Sequence, residues 1–174
     1  MQAIIEMEPK LTEWDQKSGD GDCGQTFKKG AEAILADLDT YPEDPISLCQ
    51  SVARTISYSM GGSSGVLLAM FFSAAAASIK GADLVAGFRG GVDAIMHYGG
   101  AKVGSCTMVD ALAPAKEGTN LQEIASKATA GAETTRSLRS ATHGRSQYLQ
   151  GSDLTGVPDP GAMAVAAILS ALAY

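Results

Sequence analysis

Three aspartates, Asp15, Asp20 and Asp22, fall within the run Trp14-Asp-Gln-Lys-Ser-Gly-Asp-Gly-Asp-Cys-Gly24 of a 174-residue chain. Carboxylates are hard oxygen donors, and the interleaved glycines let the backbone turn sharply between them. Such a set suits a hard divalent cation. Magnesium fits best, because it takes a few carboxylates and completes its octahedron with water and phosphate oxygens. Asp and Gly are also ordinary turn residues, so the run alone leaves a plain surface turn open. It is not an EF-hand: a loop begun at Asp20 puts Gln25 at the glycine position and Ala31 at the position of the bidentate glutamate.

Two further clusters bear on phosphate. Met60-Gly-Gly-Ser-Ser-Gly65 opens an apolar segment, where free N–H groups and the positive end of a helix dipole favour an anion. Ser63 and Ser64 add hydroxyl donors. In Pro158-Asp-Pro-Gly-Ala162, Asp159 and Pro160 read equally as an N-cap followed by a first-turn proline. Arg145 lies in a long polar connection, residues 141–157, read as a lid, where a guanidinium could clamp phosphates. His97 and His143 have no partner at metal-ligand spacing, and no Gly-x-x-x-x-Gly-Lys loop or Ser/His/Asp motif is present.

These residues need a scaffold, and the dominant apolar period is helical. Residues 46–60 place Cys49, Val52, Ala53, Ile56 and Met60 on one face, and 82–98 and 120–140 repeat the pattern. With 1–7, 24–38, 64–79, 107–116 and 159–173 this predicts about eight helices and no strand. Short connections favour an all-α, antiparallel, up-and-down arrangement in a single domain spanning 1–174. The first helix is short beside the others, which suggests that it is truncated.

Hydrophobic residues make up 45% of the chain, enough for a real core. The net charge of −6, with no dense basic cluster, argues against a nucleic-acid partner. The two most apolar stretches, 66–77 and 162–173, are too short to span a bilayer. Cys23, Cys49 and Cys106 are odd in number and scattered, which points to a reducing, cytoplasmic setting.

Together the motifs resemble one family, the C-terminal nucleotide-binding (L-type) domain of dihydroxyacetone kinases. The resemblance rests on Leu11-Thr-Glu-Trp-Asp-Gln-Lys-Ser-Gly-Asp-Gly-Asp-Cys-Gly24, Met60-Gly-Gly-Ser-Ser-Gly65, Thr107-Met-Val-Asp110, Gly144-Arg-Ser-Gln-Tyr-Leu149 and Pro158-Asp-Pro-Gly-Ala162, in the family's order and spacing. It implies a closed barrel of eight antiparallel helices with ATP or ADP at one end. It implies Mg2+ on Asp15, Asp20 and Asp22, phosphate contacts from Cys23, Gly24, Gln25, Thr26, Ser63 and Ser64, and a nucleoside near Gly99, Thr107 and Met108. Arg145, Asp159, Pro160 and Gly161 would close over the nucleotide. It implies no catalytic base here, since in the family a separate K-type domain holds dihydroxyacetone. It also implies an apolar interior that holds lipid in some members.

Gly104-Ser-Cys-Thr107 departs from the family's usual Gly-Asp-Arg or Gly-Asp-Lys before Thr-Met, so a charged pair beside the nucleotide is missing. The phosphoenolpyruvate-dependent branch, whose L subunit carries ADP, typically reads Gly-Asp-Ala-Asp-His-Gly. Gly19-Asp-Gly-Asp-Cys-Gly24 is closer to the ATP-dependent branch. A regulatory domain that binds nucleotide or lipid without catalysis stays open as an alternative.

Overall fold

The computed structural model describes residues 1–138 and 156–173. Among the described residues eight α-helices follow one another: α1 (Gln2–Ser18), α2 (Cys23–Ala36), α3 (Pro45–Ser59), α4 (Gly62–Ser78), α5 (Leu84–Gly99), α6 (Val109–Ala115), α7 (Leu121–Thr134) and α8 (Pro160–Ala173). No strand occurs among the described residues. Each helix packs on its neighbours in sequence, and α8 returns to α1, which closes the ring. The fold is all-α, as the periodicity predicts. No helix of the described residues is long and apolar enough to cross a membrane.

Local signals set most boundaries. Asn120 accepts a hydrogen bond from the Glu123 N–H at 3.0 Å and starts α7, while Asp44 does the same for α3 through the Ser47 N–H at 2.8 Å. α7 gives way to a single 3₁₀ turn at Thr135–Ser137, short of the predicted end at 140. The largest difference lies at the first helix, which runs to Ser18 with Pro9 inside it rather than ending at Met7. A proline forfeits one backbone bond and usually ends a helix. Here Ile4, Leu11 and Trp14 continue one face into the core and are at most 8% exposed, so burial outweighs the missing bond.

Between the helices opens a cavity of about 400 Å³ whose lining is almost wholly apolar, including Ile4, Phe27, Phe71, Phe88, Ile124 and Leu169. Most of its walls come from the N-terminal parts of α1, α5 and α7 and the C-terminal parts of α2, α4 and α8, with Cys49 and Ile56 of α3 and Leu112 of α6 completing them. The opposite end of the same helices carries Asp15, Asp20, Asp22 and Asp159 around a second opening. That end carries the candidate site.

Candidate functional site

Asp15 stands on the last turn of α1, not in the turn that follows, and its side chain is buried. Its Oδ2 accepts the Cys23 N–H at 2.9 Å, which ties the start of α2 to the end of α1. Gly24 makes this crossing possible: a Cβ there would run into the Glu8 carbonyl oxygen and the Thr12 side chain. Asp20 and Asp22 occupy the intervening turn and are exposed. One carboxylate oxygen from each of Asp15, Asp20 and Asp22 lies within 4.8 Å of the others. Three hard donors at that separation can share one hard cation or flank a pair.

The carboxylates border a cleft of about 720 Å³. Opposite them α4 begins at Gly61 and Gly62, the latter at φ +68°, with no side chain capping the first turn. Its leading N–H groups and the Ser63 and Ser64 hydroxyls are thus placed for an anion. Thr26 lies on the wall one turn into α2. The far end of the cleft is apolar, formed by Val66, Leu67 and Met70 of α4, Ile95 and Tyr98 of α5, and Met108. Among the described residues lining the cleft there is no lysine or arginine.

The start of α8 closes one side. Asp159 caps it, accepting the Ala162 N–H at 2.7 Å, while its own N–H donates to the Thr135 Oγ1 at 2.9 Å. Burial raises the Asp159 carboxyl to about 7. The neighbouring Asp110 and Asp15 push the same way, against the backbone N–H groups of Ala162 and Gly161. Burial also raises the Cys106 thiol to about 12, helped by Asp159 and Asp110. The Cys23 thiol rises for the same first reason, with Asp15, Asp159 and Asp22 adding to it. Neither thiol is therefore a ready nucleophile at neutral pH.

Asp15, Asp20, Asp22, Cys23, Thr26, Ser63, Ser64, Gly99, Thr107, Met108, Asp159, Pro160 and Gly161 all lie on this one cleft. Gly24 and Gln25 do not line it: Gly24 is buried at the helix crossing and Gln25 is exposed on α2. Arg145, and the lid read for 141–157 save its last two residues, lie outside the described residues. The substituted pair divides its work. Ser105 is buried, its Oγ accepting the Lys102 N–H at 3.0 Å, while Cys106 lines the cleft. The apolar end (Val66, Leu67, Met70, Tyr98) was missed in the sequence because apolar residues near helix ends look the same whether they face a core or a cleft.

The family model described as the DAK2 domain matches residues 17–174. A dihydroxyacetone kinase of Citrobacter freundii is 39% identical over 98% of this chain and 32% of its own length. A triokinase/FMN cyclase of Bos taurus is 36% identical over 97% and 32%. The crystal structure of the C. freundii dihydroxyacetone kinase in complex with AMP-PNP and Mg2+ matches with a TM-score of 0.82 at 35% identity, covering 99% of this chain and 31% of that one. The chain thus spans about a third of the length of the curated relatives it matches. On this match the chain belongs to the DAK2-domain family, the L-type domain of dihydroxyacetone kinases.

Proposed function

We propose that the chain binds Mg-ATP in this cleft and supplies its phosphoryl group to dihydroxyacetone held on a separate K-type domain, in the same polypeptide or another. The observation that carries this reading is the approach of the Asp15, Asp20 and Asp22 oxygens to within 4.8 Å of one another, in a cleft also lined by the uncapped start of α4. The three carboxylates would hold magnesium, and their hard oxygens fit it. When bound, the metal neutralises phosphate charge, which is the main electrostatic requirement of phosphoryl transfer. Thr26, Ser63, Ser64 and the N–H groups at the start of α4 would donate to phosphate oxygens. Cys23 would border the phosphates at the start of α2, whereas Gly24 and Gln25 do not line the cleft. Gly99, Thr107 and Met108 would border the nucleoside, with Asp159, Pro160, Gly161 and Arg145 beside it. No residue of the cleft is assigned as a base, and the acceptor comes from outside the chain. The proposed setting is the cytoplasm, in keeping with three free thiols.

The test is calorimetry on Asp20→Ala and Asp22→Ala. Each should abolish magnesium-dependent ATP binding while the helical circular dichroism stays intact. Equal ATP affinity in wild type and variants would overturn the assignment. A lipid in the interior is a second reading, favoured by the apolar cavity of about 400 Å³ at the other end of the ring. Extraction and mass spectrometry of the purified protein test it, and an interior free of lipid would remove it.

A further inference from the structure

Thr107-Met-Val-Asp110 sends Thr107 and Met108 to the cleft, but Asp110 does not line it. Asp110 is 2% exposed, and both of its carboxylate oxygens are used on the backbone just before it. Oδ1 accepts the Gly104 N–H at 2.5 Å and Oδ2 accepts the Thr107 N–H at 2.9 Å. Between those two bonds stands Cys106, the only non-glycine residue at positive φ among the described residues, at +58°. That region is disfavoured for a residue carrying a Cβ, so something must hold it there. The carboxylate can do so because its own helix is closely packed on its neighbours. Gly131 of α7 packs so closely on the Asp110 carbonyl that a Cβ would collide with it, and Ala111 and Ala115 are fully buried.

We infer that Asp110 is a positioning residue for the nucleoside end of the cleft. It holds Cys106, Thr107 and Met108 in place through the backbone and does not touch the nucleotide. This rests on the Mg-ATP reading above. The phosphate end, built from α1, α2 and α4, does not depend on this clamp. Loss of the clamp should therefore separate the two halves of the ligand.

The experiment is calorimetry of Asp110→Asn against wild type with two probes, Mg-ATP and Mg-tripolyphosphate. An amide turns one acceptor into a donor facing an N–H group. Affinity for ATP should fall roughly tenfold or more, as for lost bonds to a charged group, while affinity for tripolyphosphate is unchanged. Equal losses for both probes would mark a merely structural residue, and no loss for either would also overturn the inference. A wild type that binds neither probe overturns the Mg-ATP reading, and the inference with it. A measurement on the wild type covers a variant that fails to fold: Mg-ATP should shift the Thr107 and Met108 amide resonances more than Mg-tripolyphosphate does. Equal shifts count against the inference.

Discussion

Asp159 shows how placement at a helix start and burial pull a single side chain in opposite directions. Two backbone N–H groups favour its ionised form, while burial and the charges of Asp110 and Asp15 disfavour it more strongly. Its folded value of about 7 stands above the ordinary 3.8, so the folded state holds this proton more tightly than the unfolded chain does. The stability this confers is fully present below the ordinary value and is lost as pH rises through about 7. Asp159→Asn removes the titration and keeps an acceptor for the Ala162 N–H. Thermal unfolding in the presence of a chelator should then show wild type losing stability across that interval relative to the variant. Parallel curves would contradict the assignment.

At the scale of elements, the crossing of α1 and α2 decides whether the carboxylates meet. Asp15 comes from the end of one helix and Asp22 precedes the other, and the contact between them leaves no room for a Cβ at Gly24. The neighbours it would strike include the Glu8 carbonyl oxygen and the Thr12 N–H, which cannot rotate away as a side chain would. Gly24→Ala should therefore cost about 1–3 kcal/mol by overpacking and weaken magnesium-dependent ATP binding at the same time. Urea unfolding together with calorimetry reads both. A variant as stable as wild type would show that the helices part easily here. The start of α7 at Asn120 was legible in the sequence because capping is local. The end of α1 was not, because its continuation past Pro9 depends on what Leu11 and Trp14 pack against.

The whole molecule is a closed ring with two different ends. Because the helices alternate in direction, the starts of α2, α4 and α8 and the ends of α1 and α5 meet at the cleft, while the apolar cavity is lined from the other end. The cleft offers donors, carboxylates and an apolar wall, and no residue in it is assigned to bind or activate a triose. On the proposed function, ATP consumption should begin only when a purified K-type domain and dihydroxyacetone are both added. A mixture that stays inert while ATP binds normally would favour a regulatory nucleotide-binding domain.

The sequence by itself determined the helical class, most helix starts and the identity of the carboxylate, glycine-serine and Asp-Pro-Gly clusters, because periodicity, capping and donor chemistry are properties of short segments. Only the tertiary structure decided that these clusters share one cleft, since residues as distant as Asp22 and Asp159 meet through ring closure between α8 and α1. It also decided which apolar residues face the cleft instead of the core. Asp110 shows the same division: as a residue type it reads as another carboxylate near a site, and its two bonds to Gly104 and Thr107 emerge only once a buried, closely packed α6 fixes where its oxygens point.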